Sequence, residues 1–464
     1  MKITHYHLLC ILLVGTAMIF ISSCKKLIQI PAPKNALTTN AIFSDSTDAD
    51  AAILGFYVTL MNYSTQSTFG NSGVTLLAGM SADELYPSSN ESGELQFYQN
   101  AISPSNNGYN SSIWTSAYQL IFQVNACIEG LLNSPSLSPS LKNRLIAEAR
   151  FCRAFVYFQL VNLYGPVPLI RSTDYKFNAI QPRAPIDTVY SAILTDLQAA
   201  KLSLPVNYPS GKRSRPIATT AAAVLAKVYL YKQQWALAVQ ESTQVLESGF
   251  YSLESDLNKV FLSGSQEAIW QISPLQSGYE TAEGVLFNPG DPSVIPSHVI
   301  SNSLINAFEP TDRRKVAWLN SNVVNGQTYY YPYKYKLAND GNSAPMESYM
   351  FFRVAEQYLI RAEANIQENH LNEAIQDINS IRNRAGLPNT TGTTRGELLS
   401  ATAQERRIEL LCEWGNRWYD LKRTGQANQV LSIEKTNWSP TAALFPIPFT
   451  EIRANPYLNQ NLGY

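Results

Sequence analysis

The stretch LAKVYLYKQQWALAV, residues 225–239, aligns without a gap within IRAEANIQENHLNEAI, residues 360–375, and the reading of this pair decides the fold. Ala226 falls on Ala362, and Ala238 falls on Ala374. In each copy two small residues stand twelve apart, one on each of two amphipathic segments. Small side chains at such positions let paired helices approach closely, so each copy reads as a helix hairpin.

Twelve is also the spacing of the two small residues in a tetratricopeptide repeat, and Leu225 and Tyr229 occupy that repeat's leucine and tyrosine positions. The alternative is chance similarity between two alanine-rich amphipathic helices. Two matches favour hairpins stacked as a short solenoid, in which each unit buries its face against its neighbours. Outward from the pair, helical patterns cover roughly 45–61, 112–132, 139–163, 187–202, 218–231, 234–248, 348–367, 371–385, 395–413 and 416–424. Ser138-Pro139 supplies an N-cap and a first-turn proline, and Asp187 precedes another apolar-periodic run. The expected fold is mainly α: a tetratricopeptide-like superhelix of helix pairs. It carries long irregular insertions at 64–111 and 251–347, rich in Ser, Asn, Gly, Pro and Tyr, which contain a few short strands.

At the other end of the chain, an apolar run from Leu8 to Ile21 closes on FISSCKK, Phe20–Lys26. As a helix this run would be about 21 Å long, short of the roughly 30 Å of bilayer hydrocarbon. With Lys2 before it and Ser22 and Ser23 after it, residues 1–23 read as a secretory signal peptide. The cysteine after the small pair resembles the lipobox of bacterial lipoproteins, which makes Cys24 the lipidated N-terminus of the mature chain. Two or more acyl chains hold a protein stably to a membrane. Residues 24–43, with Pro31 and Pro33 and no helical period, then read as an extended tether. The rest divides into a helical region at 44–250 and a second at 251–464, each holding one of the two insertions.

Removing residues 1–23 takes away one charge, Lys2, and leaves 34 basic residues against 36 acidic ones. That balance argues against nucleic acid, which needs a basic surface. Cys127, Cys152 and Cys412 stand far apart, without the close pairs of a zinc site, and the mature chain keeps only His298 and His370. No metal or cofactor is expected, and a nucleophile–histidine triad is disfavoured. The 26 tyrosines suit wet binding surfaces as well as a core.

ERRIELLCEWGNRWYDLKRTG, Glu405–Gly425, has Ile408, Leu411 and Cys412 on one helical face. Glu405, Arg406, Arg407, Glu409, Glu413 and Arg417 are placed to pair at helical spacing. Two of these glutamates as acid and base would make a glycoside hydrolase. Arginines at this density hold carboxylates ionised, whereas a glycosidase needs one carboxyl raised, so a structural lock is the better reading.

The block just quoted joins EARFCRAFVYFQLVNLYGPVPLI (148–170), Ala221–Ala238, RVAEQYLIRAEAN (353–365), SIRNRAG (380–386) and the ending LFPIPFTEIRANPYLNQNLGY. Together, in order over nearly the whole mature chain, they resemble the SusD/RagB family of outer-membrane lipoproteins. The resemblance implies four helix pairs of tetratricopeptide type and a non-enzymatic nutrient-binding protein. It also implies a lipid anchor in the outer membrane, with the protein capping a SusC-like TonB-dependent barrel transporter on the extracellular side. Lys25 and Lys26, where many surface-exported relatives carry acidic residues, leave the periplasmic face as an alternative.

If the family motifs are scaffold, recognition falls to the insertions. SADELYPSSNESGELQFYQN offers Asp83, Glu84, Tyr86, Phe97 and Tyr98, and LQSGYETAEGVLFNPGD offers Tyr279, Glu280, Phe287 and Asn288. Rings cover the apolar face of a sugar while carboxylates and amides bond its hydroxyls, so an oligosaccharide is the expected ligand. In YYYPYKYK, 329–336, Tyr329, Tyr331, Tyr333 and Tyr335 alternate as on one strand face, with Pro332 suited to an edge. Tyr331 and Trp318 are second-rank ligand candidates, read first as packing, and Trp414 and Trp418 are read as core. The reading of a different class is a repeat scaffold that binds peptides or proteins at the membrane surface.

Overall fold

A computed structural model describes residues 39–61, 68–90, 92–209, 211–275, 280–337 and 346–464. The signal peptide, Cys24, most of the tether and Tyr279 lie outside the described residues. The helices that build the scaffold and its first excursion are α1 (Ser46–Leu60), α2 (Gly73–Ser81), α3 (Ser92–Tyr98), α4 (Asn110–Asn133), α5 (Pro139–Tyr164) and α6 (Ile186–Ser203). They are followed by α7 (Ala218–Tyr231), α8 (Trp235–Leu246), α9 (Val354–Gln367), α10 (Leu371–Arg384), α11 (Arg395–Glu409) and α12 (Asn416–Arg423).

The stack runs α1, α4, α5, α6, α7, α8, α9, α10, with α11 laid against α9 and α10. This is four successive helix pairs and a capping helix. The two sequence copies are the third and fourth pairs, and they match in backbone detail. Gln233 and Asn369 take the same left-handed turn, with φ of 56° and 65°. The next residue then closes the turn in both, Gln234 N–H donating to Tyr229 O at 2.9 Å and His370 N–H to Asn365 O at 2.8 Å. Ala226, Ala238, Ala362 and Ala374 are all fully buried where the helices cross, as small residues at a close approach must be.

Local sequence explains the helix limits. Ser138 caps α5 by accepting from Leu141 N–H, Pro139 opens it, and Gly165 ends it with φ of 73°. From Phe151 to Tyr164 α5 is buried on nearly every side, with Arg153 paired to Asp196 and Gln159 bonded by Tyr419, so it sits inside the stack rather than on it. Asp187 is not a cap: α6 begins at Ile186, after Pro185. Two expected helices are shorter than their periodicity. Tyr349–Arg353 is a strand, fully buried and followed directly by α9, since an aromatic run packed on both faces suits extended backbone. α11 stops at Glu409 because Cys412, Trp414 and Gly415 all turn left-handed, and at Gly415 a Cβ would lie 2.8 Å from that of Ala78.

The strands are β1 (Leu85–Pro87), β2 (Val167–Pro168), β3 (Arg183–Ala184), β4 (Ala268–Ile272), β5 (His298–Ile300), β6 (Leu319–Val324), β7 (Gln327–Pro332) and β8 (Tyr349–Arg353). They pair antiparallel as β1–β5, β2–β3, β4–β8 and β6–β7. α8 packs directly on α9, and α1 on α4, so both insertions are excursions from a continuous stack. The β1–β5 pair joins them, with Leu85 opposite Ile300, Tyr86 opposite Val299 and Pro87 opposite His298. β4 and β8 pin the second excursion to the core, where Trp270 meets Phe151, Phe155 and Phe351 at ring separations of 5.1, 5.2 and 4.3 Å.

The glutamates and arginines of the Glu405–Gly425 block do lock the structure, but their partners are distant in sequence rather than one helical turn away. Glu405 pairs with Arg382 at 2.7 Å, Glu409 with Arg314 at 3.1 Å and with Arg353 and Arg384, and Glu413 with Arg353 at 2.8 Å and with Lys334. Arg406 pairs with Asp420 at 2.7 Å. The early end of α11 removes Glu413 and Arg417 from its helical register, which leaves them free to reach other elements. Trp414 and Trp418 are buried in the core.

Candidate functional site

Where the insertions meet, three tyrosines come together. Tyr86 projects from β1 and Tyr98 from α3, with ring centroids 6.3 Å apart and tilted by 52°. Tyr329, on β7, is the third: β7 lies against β5, and the phenols of Tyr329 and Tyr98 add to burial in raising the Tyr86 phenol above its ordinary value. All three rings are half-buried, so each keeps a face or edge toward solvent. Lys435 stands behind the group, its ammonium 4.0 Å from the Tyr98 ring centre and donating to Met80 O at 2.8 Å. Burial pushes Lys435 down to about 7. An aromatic surface edged with phenol hydroxyls can cover the C–H face of a sugar and bond its hydroxyls.

Among the other sequence candidates that are described, Asp83, Glu84, Phe97 and Phe287 have buried side chains. Asp83 is buried and bound by Arg417 at 2.6 and 2.9 Å and by Arg407 at 2.7 Å. Burial pushes its carboxyl up, but the bonds and charge of Arg417 and the charge of Arg407 outweigh this and hold it below its ordinary value. Glu84 is buried and accepts from Cys412 N–H at 2.9 Å. Phe97 packs edge-on against Phe445 at 5.2 Å, and Phe287 against His298 at 5.9 Å. These four side chains have protein partners and no open face, which assigns them to packing. Glu280 is also buried. Asn288 is half-buried but shapes a turn, accepting from Gly290 N–H and donating to Lys336 O, both at 3.2 Å.

Trp318 and Tyr331 face inward. Trp318 donates to Leu257 O at 3.1 Å, and the cations of Lys334, Arg353 and Arg384 lie 4.6, 5.6 and 5.6 Å from its ring. Tyr331 packs edge-on against Tyr333 at 6.0 Å. Tyr329 was the ring that sequence reasoning left out of the site. Its signal was Asn325-Gly326, the dipeptide of a two-residue hairpin, with φ of 51° and 79° in the turn joining β6 to β7. Among the described residues no group of His, Cys, Asp or Glu is arranged to hold a metal ion, and no helix is long and apolar enough to cross a membrane.

The buried acids beneath the surface make a pH prediction. Burial pushes Glu84 and Glu283 each up to about 7, from an ordinary 4.5. A carboxyl raised in the folded state favours folding fully below its unfolded value, and this favour is lost as pH rises through its folded value. Stability should therefore fall between about pH 4.5 and about pH 7, and Glu84→Gln should flatten that fall. Urea melts at stepped pH measure it; an unaltered slope in the variant would contradict the buried, neutral state of Glu84.

A helix-pair superhelix whose insertions build an aromatic surface defines a class of binding protein, and comparison with known chains agrees. Two family models match: one described as the SusD family, over residues 311–464, and one described as starch-binding, associating with the outer membrane, over residues 48–230. SusD-like protein P2 of Formosa agariphila is 30% identical, across 93% of this chain and 95% of its own. The chain therefore belongs to the SusD family. A SusD superfamily protein of Bacteroides vulgatus shares the fold, with a TM-score of 0.79 at 22% identity over 91% of this chain and all of its own. A laminarin-binding SusD-like protein gives 0.75 at 26% identity, over 90% of this chain and 99% of its own.

Proposed function

We propose that this protein captures oligosaccharides outside the cell, on the Tyr86, Tyr98 and Tyr329 surface, and passes them to a SusC-like TonB-dependent barrel in the outer membrane. It performs no chemistry of its own, and a lipid on Cys24 holds it on the extracellular face. The observation that carries this reading is the convergence of two separate insertions on one cluster of partly open tyrosines. The laminarin-binding relative shows that a chain of this architecture takes a glucan, which supports a glycan here. Delivery to a barrel rests on family membership.

The test is ligand affinity. Removing the Tyr86 or Tyr98 ring deletes apolar contact worth about 1–3 kcal/mol. Tyr86→Ala and Tyr98→Ala should therefore weaken binding about 5- to 150-fold, with the helical circular-dichroism signal unchanged. Isothermal titration against an oligosaccharide panel measures this. Unchanged affinity in both variants would move the site elsewhere.

A further inference from the structure

A second concavity lies in the helical scaffold, away from the tyrosines. It is a cavity of about 830 Å3 between the end of α7, the start of α8, and α9, α11 and α12. Five arginines line it: Arg395, Arg406, Arg407, Arg417 and Arg423. The carboxylates bonded to them are three. Asp420 takes Arg406 and Arg423, Glu363 takes Arg423, and Asp83 takes Arg407 and Arg417. Arg395, which is exposed, bonds the neutral amide of Gln367. Glu84 and Glu434 also act on Arg407, so the surplus is smaller than that count, and Arg395 is the arginine of the wall whose bonded partner is neutral.

Tyr231 Oη, Arg406 Nη1 and Arg407 Nε are buried atoms without a hydrogen-bond partner among the described residues, and all three residues line the cavity. These three atoms have almost no accessible surface and lie behind the wall, so a ligand in the cavity is met by the open groups around it. Its volume suits an organic molecule of several rings rather than a small ion. Trp235, half-buried, presents a ring at the rim, and Gln233, Gln404, Gln426 and Ser400 bring side chains that both donate and accept. Sugar hydroxyls match such groups, and an acidic peptide offers fewer of them.

We infer that this cavity is a second binding site, for a sugar unit bearing a carboxylate, so that the protein takes acidic oligosaccharides; this deepens the glycan reading and rests on it. The carboxylate pairs with the surplus guanidinium charge while the sugar ring lies against Trp235. Asp83 ties the two sites, since it holds Arg407 and Arg417 at the cavity wall and stands three residues before Tyr86.

The experiment is titration of the full chain in detergent with tetragalacturonate, its carboxyl-reduced neutral counterpart, pentaglutamate and a neutral glucan tetrasaccharide. Tetragalacturonate should bind more tightly than its reduced counterpart, and more weakly as salt rises. Arg395→Ala and Trp235→Ala, both at partly open positions, should each weaken tetragalacturonate by about 10- to 100-fold while leaving the neutral glucan unaffected. Tyr86→Ala should do the reverse. Equal affinity for the acidic and reduced sugars, indifference to both substitutions, or pentaglutamate binding as well as tetragalacturonate would overturn the inference. If neutral glucan still binds through Tyr86 in that case, the glycan reading survives; if no sugar binds at all, both fall.

Discussion

Replacing Arg353 by methionine should destabilise the protein by about 3–5 kcal/mol, the usual consequence of removing one partner from a buried charge network. Arg353 is essentially inaccessible to water and bonds Glu413 at 2.9 and 2.8 Å, Glu267 at 3.2 Å, Glu409 and the Glu409 carbonyl. Without it three buried carboxylates share Arg314, Arg384 and Lys334. The methionine fills much of the volume, so the loss reports the charge. Adding Glu413→Gln to Arg353→Met should recover part of the stability, because one orphaned charge is then removed. Urea denaturation of both variants tests this, and no recovery in the double variant would argue against the charge as the cause.

Asp83→Ala should be nearly as damaging, again by about 3–5 kcal/mol, because it leaves Arg407 and Arg417 facing each other without their shared carboxylate. The Asp83 backbone also accepts from Ser301 at the join of the two insertions. A ligand-binding carboxylate would show the opposite pattern, with lost affinity and unchanged melting. The expected result is a lowered melting temperature, with the affinity of the folded fraction reduced less than in Tyr86→Ala. Calorimetry and titration on the same samples separate the two roles.

These two arginine clusters also mark how far the sequence could be read. The helix pairs were legible because their determinants are local: Ala226 and Ala238 lie in one hairpin, and α7 and α10 start where the periodicity places them. Tyr349–Arg353 was misread because an apolar aromatic run beside a helix has no period of its own to mark the boundary. The burial of Asp83 and Glu84 was illegible for a different reason. A carboxylate in a loop is polar whether it meets solvent or a guanidinium, and the partners that decide, Arg407, Arg417 and the Cys412 amide, come from the far end of the chain. The cavity was invisible for the same reason, since its wall comes from helices spread between Leu230 and Val430. Tyr329 could have been placed from Asn325-Gly326, because that dipeptide fixes the hairpin that carries it.

The pinning of β4 to β8 sets the register of Ile272 against Tyr349, so the excursion between them, which carries β5, β6 and β7, leaves and rejoins the core at fixed points. Polymer statistics then govern what may happen beyond the clamp. Closing a flexible loop of twice the length costs only about 0.6 kcal/mol more, little beside the buried contacts that hold the clamp shut. Length changes at the exposed turns of this excursion should thus be close to neutral for folding, whereas Arg314, Trp318 and Lys334 bind its interior to the core and should not be exchangeable. Descendants of one stacked scaffold can drift to new ligands by altering those turns, with the buried pairs behind them kept.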